Sequence, residues 1–299
     1  MGLFQVVTPA QPLAGDLAER LSNCNSYPLA TDYQQYLDTS FLGERQFIEV
    51  GTVNYTYYQF GPLQIQTSDI PLMMIAGQGA TLSIWTPDLL KNLAAGRQVT
   101  IFDNRGIGLS TDTTTEPYSI GLYAASTVDL IEALGLEQPD ILGWSLGGLI
   151  AQSIAVENGD AVSHVVLTDT TSAGQGFATS PASYQIDYSY VLPLVQNGST
   201  IPVNFIFPDT NVGNAALCRF AAFEEVMPAE MATTDQNLRQ APAILQLVNP
   251  NFNDIYNLLP NITNPLFIIA GEQDIVLAIQ NDLNIYNVVP VAAFLDDPL

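Results

Sequence analysis

Ser145 stands between two glycines in Gly143-Trp144-Ser145-Leu146-Gly147, the G-x-S-x-G spacing of a sharp strand-to-helix turn that lifts a serine above a sheet edge. The spacing has a steric reason, because a Cβ two positions either side of the serine would run into the neighbouring strand and helix. A helix start adds unpaired N–H groups and a positive dipole end, and both favour a developing oxyanion. Asp140-Ile-Leu reads as a short buried strand ahead of the turn, and Leu149, Ile150, Ile154 and Ala155 follow it at helical spacing. The chemistry this serves is acyl transfer through a covalent serine intermediate. The plainer alternative is a glycine-rich turn whose serine only caps the helix.

Two further stretches offer groups of the right kind. Gly77-Gln78-Gly79-Ala80-Thr81 follows a continuous apolar run and is a loop whose backbone N–H groups can point at a ligand. Glu272-Gln273-Asp274 lies just past Pro265-Leu-Phe-Ile-Ile-Ala-Gly271, so its carboxylates stand at a strand's C-terminal end. The single histidine, His164, lies early in the run Val162–Asp169, five residues ahead of Asp169. At about 3.3 Å per residue it falls roughly 16 Å short of the edge where Ser145 projects, so it reads as a structural residue and not as a base. One histidine and two distant cysteines build no transition-metal site, and no metal or cofactor is expected.

The elements that must position these groups follow from the hydrophobic pattern. Residues 1–43 carry Pro9, Pro12 and Pro28 without a sustained period and read as an irregular lead-in with one short helix. Phe47–Val50 and Val53–Phe60 are β-rich and predict an antiparallel hairpin. Apolar runs at 71–77, 99–103 and 265–271 and the short stretch 140–142 predict buried strands, 162–169 predicts a further strand, and helices are expected over 121–135 and 279–286. Their alternation over residues 71–169 argues for parallel βαβ units. Residues 171–263 break the rhythm with Pro, Gly, Asn and aromatic clusters (Tyr184, Tyr188, Tyr190, Phe205, Phe207, Phe220, Phe223) and short helical pieces. They read as an inserted lid offering apolar surface to a substrate, or as a helical subdomain whose aromatics fill its own core. Residues 291–295 predict a last strand.

Composition narrows the partners. The net charge of −23 reflects a near absence of base, one lysine and six arginines, so the surface repels nucleic acid and anionic membranes. No apolar run is long enough for a membrane span, and the first residues show no signal peptide. A neutral small molecule is the expected ligand, and the low lysine content leans towards an extracellular setting. Cys24 and Cys218 either pair or stay as buried thiols. Asn54, Asn197 and Asn261 head N-x-S/T sequons at a frequency that composition alone explains.

Three blocks, Phe102-Asp-Asn-Arg-Gly-Ile-Gly-Leu-Ser110, Gly143–Gly148 and Phe267-Ile-Ile-Ala-Gly-Glu-Gln-Asp274, resemble those of the α/β-hydrolase superfamily from about residue 46 to the end. The kin are of the single-domain-plus-lid kind: esterases, lactonases, C–C bond hydrolases and cofactor-free haloperoxidases. The resemblance implies an α/β fold with a mostly parallel, doubly wound sheet, an N-terminal antiparallel hairpin and an inserted helical lid. The core would span 44–170 and 264–299, with the lid at 171–263. It makes Ser145 the nucleophile, Asp274 the triad acid, and the backbone N–H groups of Gln78 and Leu146 the oxyanion hole. Asp103 and Arg105 fall in a block that shapes the fold near the site.

Two departures stand out. Ala76-Gly77 replaces the family's usual His-Gly ahead of the oxyanion loop, a mild loss. The family carries its histidine base after the last strand, and this sequence ends at Asp296-Asp-Pro-Leu299, where that loop would begin. The expectation is a sequence cut short of its base; the other account is a true terminus and a dead or repurposed site. Loss of a core triad member typically costs about 10⁶ in kcat, so the chain as given is expected to be a poor catalyst. The expected activity is serine hydrolysis of a small neutral ester, lactone or similar acyl compound. The alternative is an inactive protein of the same fold that binds a small ligand.

Overall fold

The apolar runs pair into one nine-stranded sheet in a computed structural model that describes residues 19–26, 37–62, 70–177, 195–198, 206–207, 209–227, 230–246, 249, 255–272, 274 and 276–297. β1 (Gln46–Val50) and β2 (Val53–Phe60) form the antiparallel hairpin, and β2 continues antiparallel onto β4 (Val99–Phe102). From there the sheet is parallel: β3 (Leu72–Ile75), β6 (Asp140–Trp144), β7 (Val165–Thr168), β8 (Leu266–Gly271) and β9 (Ala292–Asp297), in the spatial order β1-β2-β4-β3-β6-β7-β8-β9. A two-residue strand, β5 (Thr111–Asp112), pairs with β2. The fold class is thus α/β with a mostly parallel sheet.

Connections leave β3 towards β4 on one side, while β6 leads to β7 on the other. Chain direction therefore reverses at the β3/β6 junction, the kind of switch point where open α/β sheets bind ligands beyond the strands' carboxyl ends. Register brings the strand ends level there: Ile75 pairs with Gly143, Trp144 with Thr168, and Thr168 with Ile269.

Helices cover the two faces unequally. On one face α1 (Pro87–Leu93) packs Leu90 with Leu82, Trp85, Met74 and Ile101. On the other, α2 (Ile120–Ala133), α3 (Leu146–Glu157) and α6 (Gln280–Val288) bury Leu130, Ile150 and Ile285 against β3, β6, β7 and β8. Between β7 and β8 the chain builds α4 (Asn211–Val226) and α5 (Thr234–Leu245), and a single turn at Ile255–Leu258.

Phe223 is buried and Phe220 meets Phe207 with ring centroids 5.5 Å apart. Tyr184, Tyr188, Tyr190 and Phe205 lie outside the described residues. Cys24 and Cys218 pair as a disulfide with Cα atoms 5.5 Å apart, tying the lead-in to α4. Among the described residues no helix is long and apolar enough to cross a membrane.

Face coverage thins towards β9. Leu142, Val166, Phe267 and Ala293 are register partners in one row, and Trp144, Thr168, Ile269 and Leu295 in the next. Exposure rises along both rows, reaching 37% at Phe267 and 51% at Leu295.

Candidate active site

Ser145 fills the turn between β6 and α3 with φ 56° and ψ −119°, outside the left-handed basin that non-glycine residues sometimes enter. A backbone there persists only when its surroundings over-determine it, and here they do. The Ser145 N–H donates to the Thr168 carbonyl at 3.1 Å, and its own carbonyl accepts from the Gly148 N–H at 2.9 Å and from Thr170 Oγ1 at 2.7 Å. The glycines are sterically required: a Cβ at Gly143 would strike the Gly147 carbonyl, and one at Gly147 the Ile75 carbonyl at the end of β3. Leu146 is the first residue of α3, where backbone N–H groups have no partner within the helix.

The loop after β3 passes directly over this turn. A Cβ at Gly77 would come within 3.0 Å of both the Ser145 Cβ and the Trp144 ring, so the Gly77–Gly79 loop and the serine share one surface. Two side chains pin the loop. Asn104 Nδ2 donates to the Ala76 carbonyl at 2.9 Å, and Gln240 Oε1, on α5, accepts from the Gly79 N–H at 2.6 Å. Asp103 steadies the adjoining segments by accepting from the Leu82 and Leu109 N–H groups at 2.8 and 3.0 Å. Arg105 turns away to Asp112, at 2.7 Å.

Asp274 sits past β8, its N–H bonded to the Gly271 carbonyl at 3.1 Å. Its Oδ1 accepts from the Val276 and Leu277 N–H groups at 2.6 and 2.9 Å. Burial, reinforced by the neighbouring charge of Asp169, raises its carboxyl to about 7. Asp169 itself follows β7 with φ 44° and accepts from the Gly271 N–H at 3.1 Å. Asp282 on α6 lies beneath them, fully buried, with Oδ1 taking the Thr170 N–H at 3.3 Å. Burial and the charges of Asp169 and Asp274 raise it to about 8. Thr170 bonds both to Asp282 and to the Ser145 carbonyl, so these carboxyls and the serine lie at one edge of the sheet.

His164 is elsewhere. It precedes β7, its carbonyl accepts from the Ile141 N–H at 3.0 Å, and its Nδ1 lies 2.7 Å from Asp140 Oδ1. Arg97 holds the other oxygen of Asp140 at 2.7 Å, so the imidazole belongs to a polar cluster at the amino ends of the strands, opposite Ser145. Among the described residues no group of three or more His, Cys, Asp or Glu is arranged to hold a metal ion.

Sequence reasoning did not single out Asp169, Asp282 or Gln240. Asp169 had a usable signal, an acid closing an apolar strand just as Asp274 follows one. Gln240 had none, since its partner Gly79 is 161 residues away.

A family model described as the alpha/beta hydrolase fold matches residues 70–287. A Pseudomonas savastanoi pv. phaseolicola protein that carries the name of a carbamate hydrolase, RutD, is 26% identical over 233 residues, 76% of this chain and 85% of that protein. A Caulobacter protein of the same name is 27% identical, over 41% of this chain and 45% of its own length. Among solved structures, an alpha/beta hydrolase fold protein from Chitinophaga pinensis aligns with a TM-score of 0.69 and 26% identity, covering 87% of this chain and 90% of that one.

Proposed function

The chain belongs to the alpha/beta hydrolase fold family, and from that premise we propose that it is a serine hydrolase of small neutral acyl compounds, with Ser145 as nucleophile. The observation that carries the proposal is the strained Ser145 backbone, packed against the Gly77–Gly79 loop. In this reading the serine oxygen attacks a carbonyl carbon, and the oxyanion formed takes hydrogen bonds from the Leu146 and Gln78 N–H groups. Collapse breaks the bond to the leaving group and leaves an acyl-serine, which water then hydrolyses. Asp274 would orient and charge-balance the base. Esters and lactones are the first substrates to try, and the names of the relatives add carbamates.

The base itself is not His164, which is bound to Asp140 at the far edge, and the 299 residues contain no other imidazole. Turnover by this chain is therefore expected to be slow and to respond to imidazole supplied from solution. The expected result is that added imidazole accelerates p-nitrophenyl ester hydrolysis and fluorophosphonate labelling by the protein beyond its effect on Ser145→Ala, which should sit at the solution rate. Equal rates for the two proteins at every imidazole concentration would rule the proposal out.

The same remote histidine favours a second reading, a small-ligand-binding protein on this scaffold. Ligand-induced thermal stabilisation with no Ser145-dependent hydrolysis would select it.

A further inference from the structure

We propose that Gln240 is a positioning residue, one that holds the oxyanion loop in place against Ser145 from the far side of the site. The proposal rests on the reading above, in which the Gln78 and Leu146 amides receive the oxyanion. Gln240 has no accessible surface and lies on α5, between β7 and β8 in sequence. Both halves of its amide are used. Oε1 accepts from the Gly79 N–H at 2.6 Å, and Nε2 donates to the Tyr123 hydroxyl on α2 at 3.3 Å. The two partners fix the amide's orientation, since only its oxygen can face an N–H.

The loop needs such a tether. Gly77 and Gly79 flank Gln78, and glycine has the broadest backbone freedom of any residue, with Gly79 already at φ 63°. Asn104 fixes the Ala76 end by its bond to that carbonyl at 2.9 Å, and Gln240 fixes the Gly79 end, so the backbone is pinned on both sides of Gln78. Without the Gln240 oxygen, a buried N–H would lose its acceptor and the loop would gain freedom where donor placement matters most.

Helix α5 is itself held so that Gln240 cannot drift. Gln236 Nε2 donates to the Gly108 carbonyl at 2.9 Å. Arg239 donates to the Thr114 carbonyl at 2.6 Å and lies 4.4 Å over the Tyr118 ring. Residues 236, 239 and 240 share one helix face, and that face is turned to the core by polar bonds. The capping box formed by Thr233 and Gln236 fixes the start of the same helix. The helix is thus a fixed wall of the site, and moving it outward would release the oxyanion loop.

The test compares the protein with Gln240→Met, which keeps the volume but removes the acceptor, and Gln240→Glu, which restores an acceptor oxygen for Gly79. The readouts are amide hydrogen exchange across residues 76–81 and the rate of fluorophosphonate labelling at Ser145 in the presence of imidazole. Exchange in 76–81 should quicken in Gln240→Met, stay fixed in β3 and α3, and return to its original rate in Gln240→Glu. Labelling of Gln240→Met should slow by roughly tenfold or more, towards the effect of losing an oxyanion donor.

Unchanged exchange and labelling in Gln240→Met would overturn the proposal. If the unsubstituted protein is not labelled at all, the serine-hydrolase reading fails, and exchange alone then decides: faster exchange in 76–81 supports the tether, and unchanged exchange overturns it. Should Gln240→Met fail to fold, Gln240→Asn, one methylene short of Gly79, is read in the same way.

Discussion

Asp282 is a carboxyl with no exposed surface, and its Oδ2 has no hydrogen-bond partner among the described residues. Burial and the charges of Asp169 and Asp274 raise it to about 8, far above its ordinary value near 3.8. The native state therefore binds this proton more tightly than the unfolded chain. The stability linked to it is fully present below about pH 4 and is lost as pH rises towards 8. Replacing Asp282 by Asn keeps the Oδ1 acceptor for Thr170 and removes the ionisation. Asp282→Asn is expected to raise Tm at pH 8 by several degrees, with the gain fading by pH 4, as thermal melts at both pH values would read. Asp274, raised to about 7, gives the fully charged carboxylate the proposed chemistry needs only above that pH. Ser145 was legible in the sequence because the steric rule around it is written within five consecutive residues. The place of Asp282 was not, because it meets Thr170 across 112 residues and apolar periodicity carries no record of such meetings.

Strands were the most readable elements, since each is a short apolar run ended by a turn residue: β2 to β4, β7 and β8 fall within their expected stretches, while β1 begins one residue ahead of its own at Gln46 and β9 runs on to Asp297. Helix ends were less so. The helix expected over 121–135 runs Ile120–Ala133: the Ser119 hydroxyl accepts from the Leu122 N–H at its start, and Gly135, at φ 65°, lies just past its end. Those are cap geometries that a period of 3.6 cannot report. The junction of β6 and α3 yields the sharpest prediction at this scale. In Gly147→Ala the new Cβ would strike the Ile75 carbonyl, a backbone atom that cannot swing aside. A loss of about 2–4 kcal/mol is expected from such overpacking and strain, measurable by chemical denaturation. Gly121→Ala, whose Cβ would meet nothing within 4 Å, should be neutral or stabilising and serves as control.

Parallel sheets are ordinarily covered on both faces, yet the rows ending at Ala293 and Leu295 open progressively to water. This sheet should therefore bind an apolar dye such as anilinonaphthalene sulfonate in its native state. The double substitution Phe267→Ser and Leu295→Ser should cut that fluorescence severalfold without shifting the far-UV circular dichroism. Unaltered dye binding would show that the patch lies elsewhere. A net charge of −23 opposes self-association through that face at low ionic strength, and added salt weakens the opposition.

The link between Cys24 and Cys218 acts at the same scale. It spans 194 residues and fastens the chain's first described segment to α4. Glutathione-rich cytosol would steadily sever such a bridge, whereas secretory or extracellular surroundings preserve it. Redox milieu thus becomes part of what holds α4 to the chain's first described segment, and preparations kept in reducing buffer would contain a looser molecule.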